Sequence, residues 1–140
     1  MHPLARLPIL FCLLFALPAA AQTERRYDAQ GRSLGRAETR GDTTTFRDAQ
    51  GRTTGRAEAR GDETRLYDAE GRGAGRVEQR GQGSRSYDAQ GRAAGRSETR
   101  GDTTHLYDAE GRGAGRIEQR GGTAYRYDAQ GRSLGRVERR

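Results

Sequence analysis

The sequence predicts an all-β protein, a repetitive antiparallel array of β-hairpins with a 20-residue repeat that is marginally stable and in part disordered. The segment Tyr-Asp-Ala-(Gln or Glu)-Gly-Arg returns every 20 residues, and turn-forming residues occur twice in each period. Glycine recurs every few residues, and each glycine in a helix costs about 1 kcal/mol relative to alanine, so a helical repeat is disfavoured. No proline follows Pro18, so nothing interrupts a β-ladder.

Residues 1–21 have the composition of a secretory signal peptide: a positive start is followed by a short apolar stretch and by small residues that end at Ala21. The apolar stretch is about half as long as a membrane-spanning helix. Cleavage between Ala21 and Gln22 removes the single cysteine, Cys12, and lowers the net charge from +7 to +6, because Arg6 is lost with no acidic residue. We therefore expect an exported protein, periplasmic or extracellular, with no transmembrane segment in its mature part.

Residues 22–140 form the tandem repeat, with units that start at residues 27, 47, 67, 87, 107 and 127, the last one truncated. In the unit that starts at residue 47, Arg47 replaces the tyrosine and Phe46 precedes it. In the other five units the repeat is defined by a tyrosine, an aspartate, a glycine and an arginine, which are Tyr27, Asp28, Gly31, Arg32, Tyr67, Asp68, Gly71, Arg72, Tyr87, Asp88, Gly91, Arg92, Tyr107, Asp108, Gly111, Arg112, Tyr127, Asp128, Gly131 and Arg132.

Each period contains two turn signals of different chemistry. Residues 48–51 (Asp-Ala-Gln-Gly) have aspartate first and glycine fourth, as type I turns prefer. Residues 60–63 (Arg-Gly-Asp-Glu) centre Gly-Asp as a two-residue hairpin loop. Threonine-rich and aromatic segments at residues 43–46 and 103–107 suit extended strands, so the turns predict an antiparallel meander.

The second strand of each unit contains Arg-x-Glu-x-Arg, as in Arg36, Glu38 and Arg40. Alternate residues of a strand share a face, so these side chains form a charged, solvated face. The opposite face has one thin apolar strip, made of Ala37, Ala57, Val77, Ser97, Ile117 and Val137. Only 14 of the 119 residues in 22–140 are large and apolar. A compact single core is therefore not expected, and we expect the repeat to need neighbours before it is stable.

These residues resemble the YD repeat of the Rhs, teneurin and insecticidal-toxin proteins, whose consensus is close to Thr-x-Tyr-x-Tyr-Asp-x-x-Gly-Arg. The resemblance implies β-hairpins that spiral into a hollow shell, which in bacteria can enclose a C-terminal toxin domain. Six units look too few to close a shell, the apolar residue usual after Gly-Arg is missing, and nothing follows Arg140, so we expect hairpins without a toxin domain. The last unit contains the whole motif, as Thr123, Tyr125, Tyr127, Asp128, Gly131 and Arg132.

Two repeated motifs have alternative interpretations as binding sites. Arg-Gly-Asp at residues 40–42, 60–62 and 100–102 could bind an integrin-like receptor, but residues 80–82 read Arg-Gly-Gln, so a plain turn is favoured. The aspartates at steps of 20, with Glu70 or Glu110, could bind Ca²⁺, which requires six to eight oxygen ligands. Each aspartate has an arginine four residues later and already suits its turn, so neither a metal ion nor another cofactor is expected.

Catalysis has few candidate residues in the repeat region. His105 is its only histidine, and carboxylates repeated at equal spacing are typical of structural positions, whereas an active site is singular. We therefore expect a non-enzymatic exported repeat protein that acts as an envelope or extracellular scaffold or interaction surface. The alternative is an arginine-rich, largely disordered secreted segment that binds an anionic surface or polymer. Candidate partners are further copies of the chain, other envelope proteins and anionic glycan, and export disfavours nucleic acid.

Overall fold

The computed structural model describes residues 22–139, and the expected signal peptide, Ala21 and Arg140 lie outside the described residues. Residues 22–139 include no helix long and apolar enough to cross a membrane. They form twelve strands, β1 (Gln22–Tyr27), β2 (Ser33–Arg40), β3 (Thr43–Arg47), β4 (Thr53–Arg60), β5 (Glu63–Asp68), β6 (Gly73–Arg80), β7 (Gly83–Tyr87), β8 (Ala93–Arg100), β9 (Thr103–Asp108), β10 (Gly113–Arg120), β11 (Thr123–Tyr127) and β12 (Ser133–Arg139).

The strands form one closed antiparallel barrel. Each strand pairs with the next one in the sequence, and β1 pairs with β12. The predicted all-β, antiparallel fold class is therefore confirmed. The odd-numbered strands from β3 onwards begin at residues 43, 63, 83, 103 and 123.

Six units were expected to be too few for the hollow shell of YD-repeat proteins, and in this chain they close into a barrel instead. Where β12 meets β1, Val137 lies opposite Arg26, and where β10 meets β11, Ile117 lies opposite Arg126. Both pairs occupy the same positions of the 20-residue spacing, so the seam has the same register as an internal joint. Closure pairs the two strands that would otherwise be unprotected edges of the sheet.

Both predicted turns are confirmed. The amide of Gly51 donates a hydrogen bond to the carbonyl oxygen of Asp48 over 3.0 Å, which closes the Asp-x-x-Gly turn. At the other end of the hairpins, Arg60 pairs with Glu63 across a two-residue loop in which Gly61 has a φ of +60°. That left-handed conformation suits glycine, so the local sequence determines where each strand ends.

The inner face of the barrel is built from small and medium side chains. The predicted apolar strip lies on this face, and its members Val77 and Ile117 are fully buried. The apolar residues on this face form two separate clusters. Ser84 and Ser97 lie between the two clusters in the sequence, and both are buried, with 2.7 Å between their hydroxyl oxygens. One cluster contains Ala37, Phe46, Ala57 and the partly buried Leu66, and the other contains Leu106, Ile117, Ala124 and Val137.

The buried apolar residues form two separate clusters, but the chain buries more side chains than its large apolar residues alone would supply. Counting large apolar residues treats the sheet as open, whereas a closed sheet also buries alanine, serine and threonine on its inner face. The expected partial disorder is not met within residues 22–139, which consist of strands and the short turns between them.

Charged side chains also lie inside, at the seam. Glu24 and Arg26 of β1 are both buried, and Arg139 Nη2 lies 3.6 Å from Glu24 Oε1. Burial raises the pKa of Glu24 to about 7, because loss of solvent outweighs the attraction of Arg139 and Arg26.

Candidate functional site

The outer face carries a column of arginine and tyrosine side chains. Arg76 lies directly opposite Tyr87 in the register of β6 and β7, and its guanidinium sits 4.1 Å from the centre of the ring. Cations over aromatic faces are attracted by the ring quadrupole. The same contact recurs for Arg56 over Tyr67 at 4.4 Å, Arg96 over Tyr107 at 4.2 Å, Arg116 over Tyr127 at 4.4 Å and Arg136 over Tyr27 at 4.4 Å.

The arginine at this position of all six hairpins, Arg36 included, also forms an ion pair with the glutamate two residues later. Arg36 Nε lies 2.6 Å from Glu38 Oε1, and Arg96 Nη1 lies 2.7 Å from Glu98 Oε1. This confirms that Arg-x-Glu occupies one face of each second strand. Each such guanidinium therefore has a carboxylate beside it, and in five of the six hairpins a tyrosine ring beneath it.

In the hairpin that lacks the tyrosine, a glutamate lies between two arginines that face each other. Arg47 lies opposite Arg36, where the other hairpins place a tyrosine. Glu38 lies between the two arginines, at 2.6 Å from Arg36 Nε and 3.5 Å from Arg47 Nε. The carboxylate offsets the repulsion of two like charges that face each other across strands.

The carboxylates of the repeated aspartates accept hydrogen bonds within their own turns. Asp108 Oδ1 accepts hydrogen bonds from the amides of Glu110 and Arg112, at 3.0 and 2.9 Å, and Oδ2 accepts one from Arg112 Nε at 2.9 Å. These bonds, led by the one from the Arg112 amide, hold the pKa of Asp108 below its usual value. The pKa is lowered in the same way at Asp28, Asp48, Asp68, Asp88 and Asp128.

The calcium hypothesis gains no geometric support. Glu110 Oε2 lies 3.4 Å from Arg112 Nη2 and is directed to the turn arginine. No group of three or more histidine, cysteine, aspartate or glutamate residues suited to a metal ion occurs among residues 22–139.

The remaining predicted residues lie at opposite ends of the hairpins. The repeat-defining tyrosines lie at or next to the ends of the odd-numbered strands, and the aspartate, glycine and arginine that follow form the adjoining turn. The Arg-Gly-Asp segments occupy the two-residue turns at the other end, where Gly41 and Asp42 are exposed. His105 is exposed on β9.

A groove recurs on neighbouring hairpins beside the tyrosines. One groove, of about 520 Å³, is lined by residues that include Tyr67 and Arg76, and the next, of about 420 Å³, by Tyr87 and Arg96. The lining positions of the two grooves differ by 20 in residue number, so the same outer surface is presented twice. Sequence reasoning missed these grooves because they depend on which strands are neighbours.

Comparisons with known proteins bear on the fold. No family model matches this chain, and neither does any curated protein. The chain is similar to the X-ray structure of a protein from Arabidopsis thaliana, with a TM-score of 0.55 and 10% sequence identity over 86% of this chain and 82% of that chain. At that identity the likeness shows the fold alone. The resemblance to YD-repeat proteins therefore stays a prediction.

Proposed function

We propose that this chain is a non-enzymatic exported repeat protein that acts as an envelope or extracellular scaffold or interaction surface. The observation that supports this proposal is the outer face, where one arginine, tyrosine and glutamate group recurs from hairpin to hairpin. A partner with repeating chemistry can bind several of these groups at once. Linked contacts raise the apparent affinity without any single strong site.

In this proposal the barrel is a YD-type repeat of 20 residues that closes on itself. The shared positions of the Arg–Tyr contacts in five hairpins support this interpretation. Marginal stability belongs to the same proposal, because the buried side chains are small and Glu24 is enclosed with arginines.

A second candidate function is the binding of an anionic surface or polymer. It is supported by the net charge of +6 in residues 22–140 and by guanidinium groups on the outer face, which donate paired hydrogen bonds to phosphate and carboxylate. The sequence predicted this alternative for a largely disordered segment. Residues 22–139 consist of strands and turns, so in this proposal the anion binds to the folded barrel.

The distributed surface is tested by substituting tyrosines in one, two and three hairpins. Tyr67→Leu, Tyr87→Leu and Tyr107→Leu remove successive rings and retain apolar bulk. Binding of the exported chain would be measured on peptidoglycan sacculi, lipopolysaccharide and vesicles of anionic phospholipid. We expect the affinity for the bound material to fall by a similar factor with each substitution.

The control is Tyr125→Leu, because Tyr125 lies outside the main columns, with its ring centre 5.7 Å from Arg120. It should leave binding close to that of the parent chain. A single tyrosine substitution that abolishes binding, with no effect from the other two, would show one localised site and contradict the proposal.

A further inference from the structure

The hairpin that contains β7 departs from those of β3, β5 and β9 at its two-residue turn. Gln82 and Gly83 occupy positions that are Asp62 and Glu63 before β5 and Asp102 and Thr103 before β9. The first change removes a negative charge, and the second removes a side chain. The turn before β11 also lacks the aspartate, as Gly122, but retains a side chain at Thr123.

A groove of about 490 Å³ lies over this turn. Four arginines from three neighbouring strands line it, which are Arg80, Arg85, Arg96 and Arg100. Gly83 is part of the lining, and Ser84 and Ser97 form a hydrogen-bonded pair at its inner side. The volume is within the range of small-molecule sites, which is about 300–1,000 Å³.

The arginines outnumber the acidic residues beside them. Glu78 pairs with Arg80 at 3.2 Å, and Glu98 pairs with Arg96 at 2.7 Å and lies 4.0 Å from Arg100. Arg85 is exposed and lies directly opposite Arg96, with no ion pair among the described residues. Four arginines and two glutamates leave a local net charge of +2.

The other hairpins provide an internal comparison at the same positions. Around β9, the arginines Arg100, Arg116 and Arg120 are matched by Glu98, Asp102 and Glu118. Around β5, the arginines Arg60, Arg65, Arg76 and Arg80 are matched by Glu58, Asp62, Glu63 and Glu78. Around β3, Arg40, Arg56 and Arg60 are matched by Glu38, Asp42 and Glu58. These three groups are neutral. Around β1, Arg25, Arg36 and Arg40 face only Glu38 and Glu138, which leaves a net charge of +1. Among the groups compared within residues 22–139, the positive excess is therefore largest at β7.

We propose that the groove over Gly83 binds a phosphate or sulfate ester carried on a sugar. Guanidinium groups donate paired hydrogen bonds to such oxyanions, and the four arginines surround the groove. Gln82 supplies an amide group for sugar hydroxyls, while the Thr99 hydroxyl is already hydrogen-bonded to that of Thr104 over 2.9 Å. The inference rests on the proposed function only in treating the outer face as an interaction surface.

The test is isothermal titration calorimetry of the exported chain at low salt with two probes. A sulfated heparin disaccharide represents the sulfate ester, fructose 1,6-bisphosphate represents the phosphate ester, and an uncharged disaccharide is the blank. The double variant Gln82→Asp with Arg85→His places in this hairpin the residues that β9 has at Asp102 and His105. We expect it to bind the preferred probe about tenfold more weakly than the parent chain.

The matched control is Arg65→His, at the equivalent position of β5, where Arg65 already pairs with Glu63 at 3.1 Å. It should change the affinity by less than about twofold. Thermal unfolding of both variants establishes that they fold. Binding of one probe alone identifies which ester the groove accepts.

Two results would overturn the proposal: neither probe binds the parent chain at millimolar concentration, or the double variant binds as tightly as the parent. Neither result decides the distributed surface, because every tyrosine of the columns stays in place in these variants.

Discussion

At the scale of single residues, glycine allows the second strand of each hairpin to begin close to its neighbour. In β10 the register shifts between Gly113 and Gly115, and Gly115 has a φ of +133°. A Cβ atom at Gly115 would overlap the carbonyl oxygen of Tyr127 on β11. Both the backbone conformation and the contact therefore exclude a side chain there.

Gly115→Ala should lower the free energy of unfolding by about 1–3 kcal/mol, because it strains the backbone and displaces β11. Gly113→Ala is the control in the same strand, since a Cβ atom there would meet nothing within 4 Å and the equivalent residue in β8 is Ala93. Urea unfolding compares the two. Equal effects of both substitutions would contradict the assigned geometry.

The turn aspartates predict sensitivity to acid. The folded pKa of Asp108 lies below its ordinary value of 3.8, so its stabilising contribution is complete above 3.8 and is lost as the pH falls through the folded pKa. The free energy of unfolding should therefore decrease as the solution is acidified below 3.8.

Asp108→Asn should weaken this dependence, since the amide has no carboxyl group to titrate. Urea unfolding at several pH values below 5 measures the slope, where about 5 is the point at which aspartates are fully ionised. An unchanged slope in the variant would show that Asp108 does not contribute.

At the scale of elements, hairpins are joined by the contacts between arginine and tyrosine. Arg96 of β8 and Tyr107 of β9 should show a coupling free energy of about 0.5–1 kcal/mol in a double-mutant cycle with alanine. Their separation is 4.2 Å, whereas Arg120 and Tyr125 are 5.7 Å apart and should couple more weakly. Thermal unfolding of the two cycles provides the comparison, and a stronger coupling for the second pair would contradict the prediction.

The sequence predicted what depends on local chemistry. Asp48 and Gly51 specify one turn and Gly61 the other, so strands and hairpins could be inferred before the structure. The contact between Arg56 and Tyr67 could not, because it requires the register between two neighbouring strands.

The arginine groove is visible in the sequence only in part. The sequence shows that Gln82 replaces the aspartate of an Arg-Gly-Asp turn. It does not show that the missing side chain at Gly83 opens a groove, because that depends on which strands are neighbours. Arg80, Arg85 and Arg96 come together only because β6, β7 and β8 pair.

At the scale of the whole molecule, the seam between β1 and β12 should make stability depend on pH. The pKa of Glu24 is about 7 in the folded chain against 4.5 for an ordinary glutamate, so the folded state holds this proton more tightly. The contribution of Glu24 to stability is complete below 4.5 and is lost as the pH rises through about 7.

Glu24→Gln should remove this loss and stabilise the barrel above neutral pH by about 3 kcal/mol, which is the shift in pKa expressed as free energy. Urea unfolding below pH 4.5 and well above pH 7 measures the difference. Glu138→Gln, a half-buried residue paired with Arg136, is the control and should not reproduce the effect. A parent chain whose stability rises across this range would contradict the prediction.

Closure of the ring could not be derived from local turn chemistry, because turns and strands of this kind are compatible with an open sheet. A signal for closure is nevertheless present in the spacing. Inserting one glycine between Arg140 and Gln22 would create Arg-Gly-Gln, the sequence of residues 80–82. Arg139 lies directly opposite Glu24 across the seam. Gln119 lies opposite Ala124 in the same way beside the two-residue turn that joins β10 to β11.

The most direct test of the closed barrel is therefore a circular permutant in which one glycine joins Arg140 to Gln22 and the chain is opened between Gly61 and Asp62. A closed barrel predicts a β-rich circular dichroism spectrum and cooperative unfolding, with a free energy within about 1 kcal/mol of the parent chain. In an open array of twelve strands the ends would lie about 50 Å apart, at about 4.8 Å per strand, and one glycine could not join them. A permutant that does not fold while the parent chain does would contradict closure.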